Sequence, residues 1–202
     1  MIAKRDGWKS HKLDELGFVG RGKSRHRPRN EPSLYGGPYP FFQTGEIKAA
    51  DLYVREHTQT YSAKGLSQSK LWKPGTLCIT IAANIAETAI LGLDACFPDS
   101  VVGFLPAGDA VSVFYVELYL RTVQARLEQF APATAQKNIN LETLNDVAIC
   151  MPPTDEQTEI VAQVEAKLSN IAQAEAEIKR SLERAARLRQ AILKRAFEGR
   201  LV

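Results

Sequence analysis

The sequence predicts an α+β fold in which a β-rich globular domain is followed by one long α-helix. In residues 1–151, short runs of β-branched and aromatic residues alternate with Gly- and Pro-containing turns, a pattern typical of β-rich domains. From residue 154 to residue 198 the chain contains neither glycine nor proline, which predicts one uninterrupted helix. We therefore place a globular domain at residues 1–151 and a helical region at residues 152–202.

Composition limits the classes of protein that this chain can be. With 202 residues and 45% hydrophobic content, it is long enough for one core and an appended element. A net charge of +3 is too small to identify a nucleic-acid-binding protein, so the distribution of charge must decide. Three cysteines without a Cys-x-x-Cys pair predict neither a disulfide framework nor a zinc site, and they favour the reducing cytoplasm. The first residues lack the apolar run of a signal peptide, and polar residues interrupt the longest apolar tract, 79–93, so no membrane association is expected.

The elements of the globular domain follow from local patterns. Strands are predicted at 52–54, 76–81, 88–91 and 101–105, and turns at 35–38, 73–75, 97–99 and 106–109. A helix is predicted at 111–130, where apolar residues recur in steps of three and four: Val116, Leu120, Val123, Leu127 and Phe130. This helix should lie against the sheet. After a polar loop at 131–138, residues 139–151 should return to the core.

The terminal helix has predicted start and stop signals. Pro152 and Pro153 disfavour helix before them, and Thr154 with Gln157 has the form of a capping box. Basic residues before Gly199 suit the negative end of the helix dipole, so the helix should end there. At 1.5 Å per residue such a helix spans roughly 65 Å.

An apolar seam with alternating spacings of three and four residues runs along this helix, as in a coiled coil. The predicted partner interface is Val161, Val164, Leu168, Ile171, Ile178, Leu182, Ala185 and Ile192. Glu175 and Arg189 occupy two seam positions, and in a parallel homodimer each would face its own charge. They therefore favour an antiparallel partner. The alternative, a lone solvated helix, is disfavoured because helices are held mainly by packing of an apolar face.

Two stretches could contact nucleic acid. Five cations fall within nine residues: Arg21, Lys23, Arg25, Arg27 and Arg29. Clustered cations can displace counterions from phosphates, although a charge run can also be a solvated loop. Gln136, Lys137 and Asn138 combine amide groups that pair with adenine edges and a cation, but they too could form an ordinary polar loop.

Catalytic patterns fail at their chemical positions. Residues 151–154 resemble an amino-methyltransferase motif but lack its acceptor side chain and its stacking ring. A nuclease site would need Asp99 and residues 177–179 of the long helix to converge on one metal ion. None of the three histidines has the spacing of a metal pair. We expect no catalytic residue and no metal site.

Several segments, taken in order, resemble the specificity (S) subunits of type I restriction-modification systems. They are residues 8–17, 39–47, 73–79, 136–140, 151–153, 156–157, 160–161 and 188–202. Small departures occur at Gly75-Thr76, where an acid is usual, and at residues 84–86.

The resemblance implies a target recognition domain that reads half of a split target in double-stranded DNA. It also implies a long spacer helix that pairs as an antiparallel coiled coil. Gln43 and Thr44 join Gln136, Lys137, Asn138 and the basic run as candidate DNA-binding residues. Catalysis would reside in partner methyltransferase (M) subunits, which use S-adenosylmethionine, with a restriction/motor (R) subunit as a further partner. This chain would hold no cofactor.

A complete S subunit has two recognition domains and two long helices, so this chain resembles a natural half-subunit or a fragment. A half-subunit would pair with a second copy as an antiparallel homodimer. The competing interpretation is a coiled-coil adaptor that binds only protein. A stand-alone methyltransferase or nuclease is disfavoured by its missing motifs.

Overall fold

The computed structural model of the chain describes residues 7–129 and 138–200. It divides into two compact units, Met1–Thr158 and Glu159–Val202. The first turn of the long helix therefore belongs to the first unit. The predicted domain boundary between residues 151 and 152 stays a prediction.

The described residues form short strands, short helices and one long helix. The strands are β1 (Lys9–His11), β2 (Gly17–Arg21), β3 (Tyr35–Phe41), β4 (Tyr53–Val54), β5 (Gln59–Tyr61), β6 (Leu77–Thr80), β7 (Thr88–Leu91), β8 (Val101–Pro106) and β9 (Ile149–Met151). The helices are α1 (Leu13–Leu16), α2 (Thr44–Ala49), α3 (Ala63–Ser67), α4 (Val113–Gln129), α5 (Leu141–Asn145) and α6 (Thr154–Phe197), with a 3₁₀ turn at Pro32–Leu34. The predicted α+β fold, a β-rich domain followed by one long helix, is confirmed.

A five-stranded sheet in the order β2-β8-β6-β7-β4 organises the first unit. All pairings are antiparallel except that of β4 with β7. Every residue of β6 and β7 is buried, and apart from one threonine in each the two strands are apolar. One core cluster joins Ile47 of α2, Trp72 and Phe97 to Cys78 and Ala89 of the sheet. The four predicted strands lie in this sheet, and β2 was missed.

Helix α4 packs on the sheet as predicted, with Val116, Leu120 and Leu127 buried and Val123 half-buried. Phe130 lies outside the described residues. Glu117 of α4 is fully buried and accepts a hydrogen bond of 3.1 Å from the Thr88 hydroxyl of β7. Burial raises the pKa of the Glu117 carboxyl, and the ion pair with Arg121 opposes part of this rise.

Residues 35–38 were predicted as a turn, and this prediction was wrong. They begin β3, which pairs with β5, and both Tyr35 and Tyr39 are in register with Tyr61. The residues between them bulge out of the ladder, which accommodates Gly and Pro in a strand. A Cβ on Gly37 would lie 2.5 Å from the Cα of Ser62, so the close approach of the two chains requires glycine there.

The N-terminal strand pairs with the segment that leads into the long helix. In the β1–β9 ladder, Lys9 is in register with Met151 and His11 with Ile149. The Tyr115 hydroxyl of α4 donates to the carbonyl of Cys150 at 2.6 Å, and the Trp8 indole donates to Glu156 in the first turn of α6 at 3.1 Å. Residues 139–151 thus return to the core as predicted, with Ile139 and Ile149 buried.

The predicted capping box at Thr154 and Gln157 was wrong. The Gln157 side chain is 2% exposed, and its amide donates to the carbonyls of Ala110 and Pro152 at 3.1 and 2.9 Å. Its oxygen accepts the backbone N–H of Ser112 at 2.9 Å. The backbone N–H of Gln157 donates to the Pro153 carbonyl. Tertiary partners therefore use the amide that the capping box would need, and Gln157 joins the start of α6 to the loop before α4.

Helix α6 is 44 residues long, or roughly 66 Å. It ends in a Schellman motif, in which the N–H of Arg200 bonds to the Arg195 carbonyl and that of Gly199 to Ala196. Gly199 has φ +69°, a left-handed conformation that favours glycine, so the predicted end is confirmed. The middle of the predicted seam is exposed in the single chain, with Leu168 at 49% and Leu182 at 67%.

Replacing Gln157 tests its role in stability. Gln157→Ala leaves two carbonyls and one N–H without partners in a buried site, so it should lower the free energy of unfolding by about 1–3 kcal/mol or more. The measurement is urea unfolding of the full chain. Gln163→Ala is the matched control, because within the described part of the chain its exposed amide bonds only to Glu159 on the same helix. Equal unfolding free energies for the two variants would contradict the role of Gln157.

Candidate nucleic-acid interface

The basic segment, residues 21–29, continues from β2 as extended chain and turn. Exposure alternates along its first part, with Gly22 and Ser24 buried and His26 half-buried. The residues between and beside them are exposed cations: Arg21, Lys23, Arg25 and Arg27. Because side chains of an extended chain alternate between two sides, the segment directs one side inward and its cations toward solvent.

Backbone contacts fix this segment against the turn before β8. The N–H of Gly22 donates to the Val101 carbonyl at 2.9 Å, and that of Lys23 donates to Phe97 at 3.1 Å. A Cβ on Gly22 would lie 2.3 Å from the carbonyl oxygens of Phe97 and Pro98. Glycine is therefore needed where the two chains meet.

The segment after α3 supports the basic segment from the other side. The Gln68 side-chain oxygen accepts the backbone N–H groups of both Arg25 and His26, the latter at 3.0 Å. The Ser69 hydroxyl donates to the Lys23 carbonyl at 2.8 Å. Ser24 is 7% exposed, and its hydroxyl lies 3.3 Å from the Tyr61 hydroxyl.

The five predicted cations differ in their partners. The Arg27 guanidinium donates to the carbonyls of Ser24 and His26 at 2.7 and 2.8 Å. Arg29 forms a two-oxygen ion pair with Asp99 at 2.9 and 3.0 Å. Within residues 7–129 and 138–200, no ion pair involves the remaining three, which are Arg21, Lys23 and Arg25. These three are available to an external anion.

The sheet also brings the residues that follow β6 to the end at which the basic segment leaves β2. Arg21 is in register with Val102, and Thr80 at the end of β6 with Val101. Beyond Thr80, Ala82 forms a bridge with Asn138. Asn138 therefore lies at the sheet end from which the basic segment leaves. Gln136 and Lys137 lie outside the described residues.

Gln43 and Thr44 lie at the start of α2. The Gln43 amide donates to the Gln59 side chain at 3.0 Å. In the last turn of α2, the Lys48 amine lies 3.4 Å from the Asn84 side-chain oxygen in the β6–β7 loop. In the part of the chain that the structure describes, no hydrogen bond joins Gln43 or Thr44 to the basic segment. Contact of all these residues with DNA stays a prediction.

Sequence reasoning missed the residues that position the interface. Gln68 and Ser69 lie more than 40 positions from the residues that they hold. Lys70 and Phe18, which lie beside the segment, were missed as well. The local sequence around Lys70 and Phe18 gives no sign that the two side chains meet, because they meet only when the residues after α3 pack beside β2.

Among the residues that the structure describes, no group of three His, Cys, Asp or Glu side chains is arranged to hold a metal ion. No described helix combines the length and apolar character needed to cross a bilayer.

Comparison with known proteins finds relatives that are all of one kind. Residues 5–184 match the type I restriction modification DNA specificity domain. The EcoKI specificity subunit of Escherichia coli K12 is 29% identical over 185 residues, which cover 85% of this chain and 39% of that protein. The EcoBI specificity subunit of Escherichia coli is 28% identical over 138 residues, covering 66% of this chain and 29% of the relative.

Solved structures agree with this relationship. A chain from work on complex assembly and conformational transition of the type I R-M system has a TM-score of 0.78 at 28% identity and covers 98% of this chain. The HsdS subunit of Thermoanaerobacter tengcongensis has a TM-score of 0.69 at 28% identity with the same coverage. The alignments span 48% and 47% of those chains, so this chain spans about half the length of its structural relatives.

The support from Gln68 can be tested directly. Gln68→Ala removes the shared acceptor of two backbone N–H groups, so hydrogen exchange at Arg25 and His26 should accelerate by about tenfold or more. Gln68→Glu keeps the acceptor and serves as the matched control. Residue-resolved hydrogen exchange measures both variants. Unchanged protection in Gln68→Ala would show that the basic segment is held by other contacts.

Proposed function

Because the match covers residues 5–184, the chain belongs to the family of type I restriction modification DNA specificity domains, and we propose that it is the non-catalytic DNA-recognition subunit of a type I restriction-modification complex. It would recognise one half of a bipartite target in double-stranded DNA. The competing function, a coiled-coil adaptor without DNA binding, is not favoured by this family membership.

The single observation that supports DNA binding is the arrangement of the basic segment. Arg21, Lys23 and Arg25 are exposed and lack ion pairs among the described residues, while Gln68 and Ser69 hold their backbone in place. Fixed cations displace phosphate counterions without a large loss of backbone freedom, and such contacts position a protein on DNA. Base readout would come from neighbouring amides such as Asn138, with Gln136, Lys137, Gln43 and Thr44 as further candidates.

The catalytic steps would belong to partners. We propose that M subunits bind S-adenosylmethionine and methylate adenine at sites selected by this chain. An R subunit is a further proposed partner, and the complex would act in the cytoplasm. This chain would contribute positioning alone and would hold neither cofactor nor catalytic residue.

The long helix would supply the connection between two recognition domains. Its seam is extensively exposed in the single chain, including Ile171 at 53% and Ile178 at 60%. Since the chain spans about half of its structural relatives, a second copy would provide the missing helix in an antiparallel homodimer. If Glu175 of one copy lies near Arg189 of the other, the two-fold axis falls at their midpoint, residue 182. Leu182 would then lie near its own counterpart.

Salt dependence tests the basic segment. Replacing Arg21, Lys23 and Arg25 together with Ala should flatten the slope of log affinity against log salt by about 2.7, because each phosphate contact contributes about 0.9. Fluorescence anisotropy with duplex DNA, with the M subunit present, provides the measurement. A control replaces Lys12, Lys64 and Lys73, each of which already has a carboxylate partner. If both triple variants keep the wild-type slope, the segment is not at the interface.

Disulfide trapping tests the antiparallel homodimer. In a Cys150→Ser background, Leu182→Cys should link to its own counterpart under mild oxidation, because it lies near the proposed axis. Leu168→Cys should not, since in the antiparallel pair the two copies of residue 168 lie about 42 Å apart. A mixture of Leu168→Cys and Ala196→Cys chains should form the mixed disulfide. Self-linking of Leu168→Cys would instead indicate a parallel pair, which contradicts the proposal.

A further inference from the structure

A cation lies on two aromatic rings beside the basic segment. The Lys70 amine is 3.6 Å from the centroid of the Trp72 ring and 4.3 Å from that of Phe18. Phe18, on the edge strand β2, is 54% exposed, whereas Trp72 is 1% exposed. We call Phe18 and Lys70, which cover Trp72, the Phe18–Lys70 patch.

The base of this patch is closely packed. The Trp72 ring stacks on Phe97 with centroids 4.9 Å apart and planes inclined by 20°. A Cβ on Gly103 would lie 2.7 Å from the Trp72 ring, and one on Gly20 would lie 2.9 Å from the ring of Phe18. Glycine at both positions lets the rings lie directly over the sheet. Lys70 and Phe18 therefore rest on a platform whose geometry is set by the core.

The two ring faces stabilise the charge of Lys70 only in part. Among the described residues, Lys70 forms no ion pair, whereas Lys73, three positions later, lies 2.8 Å from Asp94. Burial lowers the pKa of the Lys70 amine, and the positive charge of nearby Lys23 lowers it further. Lys23 and Lys70 thus repel each other, and among the described residues neither forms an ion pair. An external anion would relieve this repulsion.

The patch also continues the basic segment. Ser69, next to Lys70, donates its hydroxyl to the Lys23 carbonyl, and Gln68 accepts from Arg25. The segment 68–70 therefore runs alongside residues 23–25, and the cations of both segments belong to one surface. A nucleic acid could use both features of this surface, because its anionic phosphates can bind the cations and the apolar edges of its sugars can pack against an exposed ring.

We propose that the Phe18–Lys70 patch is a second contact with the DNA backbone, in which Lys70 binds the phosphate next to the one bound by Lys23 and Phe18 packs against an adjoining deoxyribose. This proposal rests on the proposed function, which it extends from the basic segment to β2 and the residues after α3. In the simpler alternative, Lys70 and Phe18 only shield Trp72 from water and meet no ligand.

Substitutions at Lys70 distinguish these roles. Lys70→Met keeps an unbranched side chain over Trp72 and removes the charge, so it should flatten the slope of log affinity against log salt by about 0.9. Lys70→Arg should keep the slope, and the matched control Lys73→Met should leave it unchanged. Phe18→Ser should weaken binding at every salt concentration without altering the slope, since it removes an apolar contact.

A second measurement needs no variant. Reductive methylation of lysines in the wild-type complex, read by mass spectrometry, should show Lys70 and Lys23 protected by duplex DNA while Lys64 and Lys73 react equally with and without it. A wild-type slope in Lys70→Met, or equal labelling of Lys70 with and without DNA, overturns the proposal. If the triple variant of the basic segment still changes the slope, the proposed function survives that result. If the wild-type complex binds no duplex DNA at all, both fail.

Discussion

The buried side chain of Gln157 is the constraint on which the rest of the first unit depends. It occupies three backbone groups at once, those of Ala110, Ser112 and Pro152, and so joins the loop after β8, the start of α4 and the start of α6. Backbone groups buried without partners are costly, and one amide satisfies all three. The point where the long helix begins is therefore determined by the same residue that positions the helix covering the sheet.

From this fixed point, the sheet determines where the candidate interface lies. Helix α4 is held on β7 through Glu117 and Thr88. Strands β2, β6 and β8 then place the basic segment and the bridge between Ala82 and Asn138 at one end of the sheet. The cations remain exposed because Gly22 and Ser24 occupy the inward positions between them. Alternate residues of one extended segment thus pack against the domain or remain exposed at the candidate interface.

Local sequence predicted those parts of the fold whose pattern results from burial. Strands β6, β7 and β8 are apolar runs because they lie inside the sheet, and the periodicity of α4 and the length of α6 are equally local properties. Strands β1, β2, β3, β5 and β9 were missed because they are short or partly exposed and lack a continuous apolar run, so only the folded chain shows their pairing, as when Lys9 meets Met151. Gln157 resembled a capping residue, yet buried carbonyls compete more strongly for its amide. The cations of the site could be identified from composition, but Gln68, Lys70 and Phe18 could not, because their contacts exist only in the folded chain.

We propose that this chain selects the DNA sites at which partner subunits act. The decisive measurement is sequencing-based mapping of methylated adenine in DNA incubated with M subunits and S-adenosylmethionine, with and without this chain. We expect methylation that requires the chain and falls on a bipartite target, with two inverted copies of one half-site if the chain acts as a homodimer. Methylation at the same positions in the absence of the chain would contradict it.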